Sequence, residues 1–365
     1  MSTWCRTRPA SEGERSAAVA GGVAQRSCVA DSRAPGEDGC DRPQRVRGSS
    51  GHRCSMNAAR EYRLGGAARP EMIERQKTAH CRRHRDVLTC YHLVSMSRVL
   101  ALVGNRPDVC GVAAKKYASL LRVETHGKAL GWGIGFYQSG EALLRRRPLD
   151  DRDVIEIAAL NDVSSGLVLA QIRTPGVGAL RTENTPPFRY RDWLFAQRGT
   201  MAGFDQIRAP LLERLPEFLR CNLRGETDGE AMFYSFLSCL DEAVSLESDR
   251  ITAAQIREGL RGAVARGDEL LARAGLPEAE LDLFATDGEH LVCLHRTGSM
   301  MYRRFEAPEE LEALLPEGPS GASLHPFRCS VVASGLDQLP EHWVRVEKGR
   351  FVSLNRTDPP AIEAI

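Results

Sequence analysis

Met96 to Pro107 reads MSRVLALVGNRP. Within it, Arg98 to Gly104 (RVLALVG) is an unbroken apolar run closed by polar and turn-forming residues, which predicts a short buried strand. Everything C-terminal to it reads as one domain that begins here, so position 97 decides the function. The 95 residues before it differ in kind. They hold six of the 11 cysteines and 17 Lys and Arg, only one of them Lys, against 10 acidic residues; the remainder carries 32 basic and 38 acidic residues. Arg, Gly, Ala, Ser and Pro dominate, and no helical or strand period persists. Such a segment buries too little apolar surface to offset the entropy of ordering it. Residues 1–95 are therefore expected to be either a disordered segment or an upstream extension of the reading frame, without the apolar core of a secretory signal.

The 270 residues from Met96 are enough for one large domain with a well-buried core. No run approaches the length of a membrane span. Cys110, Cys221, Cys239, Cys293 and Cys329 are scattered, mostly in apolar runs, which suits buried thiols in a reducing cytoplasm better than a disulfide frame. The formal net charge of +1 hides no strong basic face in this part of the chain, which argues against a nucleic-acid partner.

Strands and helices follow in a definite order. After the first strand, Asp108 to Leu121 has helical spacing through Val112, Tyr117 and Leu120. Gly131 to Tyr137, Leu167 to Arg173 and Asp192 to Gln197 read as strands. Two long helices, 229–244 and 252–273, are introduced by Thr227-x-x-Glu230 and Thr252-x-x-Gln255, both capping-box patterns. From Leu281 short strands return: LDLFAT, HLVCLHR, RCSVVAS, WVRVE and RFVSL. Strands, then helices, then strands predict an α+β layer architecture with largely antiparallel sheets.

MSRVLALVGNRP, GWGIGFY, LVLAQIRTPGVG, ENTPPFRYRDWLFAQRGTMAGF, LRGETDGEAMFYSFL, ATDGEHLVCLHR and SVVASGL occur in that order. Together they resemble the class II glutamine amidotransferases, in particular the single-domain branch that acts on glutamine or γ-glutamyl compounds. The resemblance covers residues 96–355 and leaves 356–365 as a C-terminal tail. It implies an N-terminal-nucleophile hydrolase fold, a four-layer αββα sandwich. It also implies a mature chain that starts at position 97, whose α-amine serves as the base for its own side chain. That chemistry is sound, because a free α-amine titrates near neutrality.

The resemblance assigns roles and exposes departures. The family nucleophile is Cys, and here the position is Ser97; with the upstream residues attached, Ser97 would carry an amide and lack its base. The family reads His-Asn-Gly at the oxyanion site, where this chain reads Gln197-Arg198-Gly199. Gly199 can still offer its N–H; Arg198 either supplies a donor itself or, as is expected, turns outward to water or blocks the pocket. Gln171 and Pro186 stand where the family has His, with packing as their simpler role. Arg173 matches the Arg that binds the substrate α-carboxylate, and Asp228 the Asp that receives the α-ammonium. Each also has a plainer reading, Arg173 as a strand end in solvent and Asp228 as a helix N-terminal residue. Thr174-Pro175-Gly176 departs from the family loop, so the hydroxyl that touches glutamine there is shifted or lost. Trp132, in GWGIG, is assigned to the strand that walls the pocket.

Other chemistry is weaker. His80, Cys81, His84, Cys90 and His92 cluster without a regular Cys-x-x-Cys pair, so no metal is expected. GWGIG lacks the spacing of a dinucleotide fingerprint, and no cofactor is expected. Two functions remain. One is an amidotransferase-like domain that has lost efficient amide hydrolysis and keeps a pocket for glutamine, a γ-glutamyl ligand or a protein partner. The other is an active amidohydrolase with Ser97 as nucleophile. Transfer of nitrogen to an acceptor would need a separate partner.

Overall fold

The computed structural model describes residues 97–174, 176–248, 250–307, 310 and 327–365. The extension, Met96 and the His80–His92 cluster lie outside the described residues.

The chain opens with β1 (Arg98–Gly104), α1 (Pro107–Tyr117), a turn of 3-10 helix and β2 (Val123–Glu124). β3 (Leu130–Gln138), β4 (Glu141–Asp150), β5 (Val154–Ile155) and β6 (Leu167–Arg173) follow. Next come β7 (Phe188–Tyr190), β8 (Trp193–Thr200), α2 (Phe204–Glu213), α3 (Glu217–Arg220), α4 (Asp228–Ala243) and α5 (Ala253–Arg273). The rest is strand: β9 (Glu280–Thr286), β10 (Leu291–His295), β11 (Met300–Phe305), β12 (Cys329–Ser334), β13 (Val344–Val346), β14 (Arg350–Leu354) and β15 (Ala361–Ala364).

Two antiparallel sheets result, ordered β13-β11-β12-β1-β6-β3-β4 and β15-β14-β10-β9-β8-β7, with β2 and β5 forming a small pair. β1 lies between β12 and β6, with Val99 opposite Ser334 on one side and Gln171 on the other. Its apolar run is continuous because both faces are covered. Leu100 and Leu102 face a core shared with α1, while Val99, Ala101 and Val103 pack against Leu194, Ala196 and Phe284 of the second sheet. The outer face of that second sheet packs on α4 and α5 through Phe195, Phe233 and Phe236. Helix, sheet, sheet, helix is the αββα sandwich that the sequence implies.

α4 is buried almost all round, from Asp228 to Leu240, as expected of a helix held between a sheet and other helices. The two capping boxes differ. Thr252 and Gln255 exchange both bonds, the Gln255 side chain accepting from Thr252 N at 2.8 Å. Thr227 accepts from Glu230 N at 3.1 Å, but the Glu230 carboxylate turns to the N–H groups of Arg224 and Gly225 at 2.9 and 2.7 Å. Glu230 thereby ties down the loop before α4 instead of closing the box.

The strands that the sequence reading passes over lie mostly at sheet edges. β4 carries Arg145, Arg146, Arg147 and Pro148, residues that suit an edge and disfavour an interior strand. Residues 361–364, read as tail, pair with β14 as the outermost strand of the second sheet.

Candidate functional site

Strand alternation gathers the polar groups. Side chains two apart share a face, so the face of β1 that buries Val99 and Ala101 also carries Ser97. Likewise Leu167 and Leu169 lead to Gln171 and Arg173 on β6, and Leu194 and Ala196 lead to Arg198 on β8. The apolar layer between the sheets thus turns polar at one end, where all four residues are buried.

A cavity of about 70 Å³ opens at that end. Ser97, Arg173, Gly199 and Asp228 all line it, as do Gln171 and Pro186. The last two therefore do more than pack behind the site. Arg198 and Trp132 are not among the lining residues. Trp132 shares a face of β3 with Leu130, Ile134 and Phe136, which pack toward α1, and its indole N–H donates to Asp150 at 3.1 Å. The glycines between them, not the Trp, occupy the face toward the second sheet.

Ser97 Oγ lies 2.9 Å from Thr174 Oγ1 and accepts from Thr174 N at 3.2 Å. The threonine hydroxyl that departs from the family loop thus meets the candidate nucleophile itself. The signal for Thr174 in the sequence is its place directly after Arg173, at the end of β6.

Arg198 turns neither to water nor into the cavity. It is 8% exposed, and its Nε donates to the Ser97 carbonyl at 3.1 Å while Nη1 lies 3.7 Å from the Asp282 carboxylate and donates to Thr297 O at 3.3 Å. The reason is electrostatic: a guanidinium buried between sheets needs a counter-charge, and Asp282 is its direct cross-strand partner on β9 of the same sheet. Burial pushes the Arg198 pKa down, and Asp282 opposes that shift. Asp282 is itself saturated. It accepts from Arg296 N and Thr297 N, both at 3.0 Å, and from Ser334, and lies 2.8 Å from His295 Nδ1. Gly335 makes room for this cluster, since a Cβ there would fall 2.5 Å from Ser97 O and 2.6 Å from Arg198 Nε.

Arg173 spends three of its five donors on the carbonyls of Val177, Gly178 and Ala179 at 2.7, 2.8 and 3.2 Å, which shapes the loop over the cavity. Asn184 locks the same loop to the start of α4, donating to Ala179 O at 3.0 Å and accepting from Glu226 N at 2.8 Å. Burial lowers the Arg173 pKa, and Asp228 works against that. Asp228 accepts from Met201 N, Gly229 N and Gln197 Nε2 at 2.9, 3.0 and 3.1 Å. Burial nevertheless outweighs these bonds and raises its pKa above the ordinary carboxylate value. Gly199, at φ +90°, sits where a Cβ would strike Glu280 O at 2.1 Å, so position 199 admits only glycine.

Among the described residues, no helix is long and apolar enough to cross a membrane. The family model for class II glutamine amidotransferases matches residues 96–363. The probable glutamine amidotransferase DUG3 of Saccharomyces cerevisiae is 33% identical over 78 residues, which span 21% of this chain and 22% of that one. A class-II domain protein from Silicibacter pomeroyi is similar over 73% of this chain and 97% of its own, at 20% identity and a TM-score of 0.47. A predicted glutamine amidotransferase from Pseudomonas aeruginosa is similar over 71% and 97%, at 19% identity and 0.45.

Proposed function

The chain belongs to the class II glutamine amidotransferases, and on that premise we propose that it binds glutamine or a γ-glutamyl compound with amide hydrolysis lost or strongly reduced. One observation carries this reading: Ser97, Arg173, Gly199 and Asp228 line one cavity, while Arg198 is turned away from it onto Asp282 and the Ser97 carbonyl.

The binding half is supported by charge. Asp228 offers a buried carboxylate to an α-ammonium, and Arg173 has two donors without a partner among the described residues for an α-carboxylate. The catalytic half is weakened twice over. A hydroxyl replaces a thiol, and Ser97 Oγ is hydrogen-bonded to Thr174. Gly199 N–H would act without a side-chain amide beside it, and the loss of one oxyanion donor costs about 100- to 1000-fold in rate. The functional unit in this proposal is the domain that starts at Ser97. The buried free thiols Cys110, Cys239, Cys293 and Cys329 support a reducing setting such as the cytoplasm.

A second reading, an active amidohydrolase, is favoured by the position of Ser97 Oγ on the cavity wall together with Gly199. One experiment separates the two. Protein beginning at Ser97, with its N-terminus verified by mass spectrometry, is assayed for ammonia release from glutamine and γ-glutamyl amides and for thermal stabilisation by the same compounds. Stabilisation that Asp228→Ala removes, without turnover, is the expected result. Turnover that Ser97→Ala abolishes would establish the amidohydrolase instead, and neither stabilisation nor turnover would sink both.

A further inference from the structure

A second and larger cavity is lined from the edge strands β4 and β7 and from the start of α4. Its volume is about 600 Å³, against about 70 Å³ beside Ser97, and pockets that take a whole small molecule span about 300–1,000 Å³. Arg146, Arg189 and Arg224 line it, and none of them has a carboxylate within ion-pair distance among the described residues. Arg146 is half-buried, and it donates to the backbone carbonyls of Pro187 at 3.1 Å and Thr182 at 3.3 Å. Carbonyls orient the guanidinium but cancel no charge. Burial pushes the Arg146 pKa down, and Glu230 and Glu183 oppose that shift from farther away. Arg189 spends only its Nε, on Arg191 O at 3.0 Å, and the Arg224 guanidinium bonds to nothing among the described residues. The two carboxylates on the wall do not pair with these cations: Glu230 accepts from the backbone N–H groups of Arg224 and Gly225, and Glu183 is exposed. Arg191 is the arginine already taken, by Glu247 at 3.3 Å. The rest of the wall is aromatic, with Phe188 and Tyr234 buried and Tyr190 edge-on to Tyr234 at 6.0 Å between ring centroids.

We propose that this cavity is a second ligand site, which binds a small phosphate monoester with its dianionic head among Arg146, Arg189 and Arg224 and its apolar body against Phe188, Tyr190 and Tyr234. A half-buried guanidinium without a counter-charge is costly, and a ligand oxyanion relieves that cost. The phosphate is favoured over a carboxylate by count. It carries a charge of about −1.5 to −2 at pH 7 and three acceptor oxygens, so it can take donors from three arginines at once. The aromatic wall then selects an ester over the bare ion, because the apolar body leaves water when it binds. Phe188 is the one residue that borders both this cavity and the one at Ser97. The proposal therefore stands whether or not the Ser97 cavity takes an amino acid.

The test titrates the full chain with phenyl phosphate, inorganic phosphate and benzoate by calorimetry, at about 0.15 M salt so that charges more than about 8 Å apart at the surface are screened. Phenyl phosphate is expected to bind one to one and at least about tenfold tighter than either of the other two, since each lacks one half of it. Arg224→Gln should weaken it at least about fivefold. Arg146→Gln should do the same, but Arg146 also holds backbone carbonyls and its loss can unfold the chain, whereas Arg224 is exposed and its replacement leaves the fold intact. Arg345→Gln is the control: it removes the same charge from β13, at the opposite edge of the first sheet from β4, and should leave binding unchanged. Benzoate or inorganic phosphate binding as tightly as the ester overturns the proposal, and so does the lack of any saturable binding. An affinity that Arg224→Gln leaves untouched overturns it as well. Binding lost in Asp228→Ala and kept in Arg224→Gln would put the ester in the Ser97 cavity instead. Failure of glutamine to bind, with phenyl phosphate still held through Arg224, would count against the amino-acid reading alone.

Discussion

Arg198 Nε donates to the carbonyl oxygen of Ser97 at 3.1 Å, so the side chain that replaces an oxyanion amide grips the backbone of the candidate nucleophile from behind. The bond joins the two sheets, and Asp282 supplies the charge that keeps the guanidinium there. Arg198→Ala would leave that carboxylate buried without its guanidinium, although still bonded to His295 Nδ1, to Ser334 and to two backbone N–H groups. A loss of about 3 kcal/mol is expected, the lower end for breaking a buried pair. Urea unfolding of the single variants and of Arg198→Ala with Asp282→Asn gives the coupling. A loss below about 1 kcal/mol in the single variant would show that neither the bond to Ser97 nor the pair with Asp282 matters to the fold.

The Asp228 carboxylate should make ligand binding depend on pH. Burial raises its pKa, so on acidification it takes up a proton above the usual carboxylate range, near 3.9. Only the ionised form attracts an ammonium. Glutamine-induced stabilisation is therefore expected to be full at neutral pH and to fade on acidification before ordinary carboxylates titrate. Ligand binding should in turn pull the Asp228 pKa down. Stabilisation that persists unchanged to pH 4 would remove Asp228 from the ammonium site.

How much of this was legible in the sequence follows from period-2 arithmetic. The bounds of β1 and β6 match the apolar runs RVLALVG and LVLAQIR, because those strands are buried on both faces and show no competing pattern. Once they are strands, Ser97, Gln171 and Arg173 must share the inner face, and that much of the site could be read. Trp132 could have been placed by the same rule, since Leu130, Ile134 and Phe136 fix its face. The partnership of Arg198 with Asp282 could not, because it depends on which strand pairs with β8 and in what register, 84 residues away in the chain. Edge strands such as β4 were hidden for a different reason: the charges that protect an edge erase the apolar pattern that reveals a strand.

Asp150 offers a check on the side of the sandwich away from the cavity. It is fully buried, accepts from Trp132 Nε1 at 3.1 Å and from Arg152 Nε and Nη2 at 2.8 and 2.6 Å, and pairs with Arg147 at 3.5 Å. Burial alone would raise its pKa, but the bonds from Arg152 and Trp132 outweigh that and hold it at about 2. Because the folded value is depressed, the carboxylate stabilises the fold above its unfolded pKa of about 3.9, and the benefit is lost as pH falls toward 2. Asp150→Asn should cost about 2 kcal/mol at pH 7 and almost nothing at pH 2. A pH-independent cost in denaturant unfolding would assign the effect to packing instead.

If hydrolysis is lost as proposed and the loss resides at Ser97 and Arg198, activity should be recoverable at those two positions. Ser97→Cys, in protein that begins at residue 97, supplies the stronger nucleophile beside its own amine. Arg198→Asn then returns a neutral amide to the inner face of β8, next to Gly199, and is expected to add about 100-fold in ammonia release over the first change. The second change also strips Asp282 of its cation, so the pair of substitutions should melt earlier than wild type. Adding Asp282→Asn removes the stranded charge and should restore part of that stability without lowering the rate, since Asp282 does not line the cavity. Gains of this kind are not additive when residues act as a unit, so each combination is measured separately. Should the triple variant fold cooperatively, bind glutamine and still release no ammonia, the defect would lie with the remaining departures on the cavity wall, Gln171, Thr174, Pro186 and Gln197.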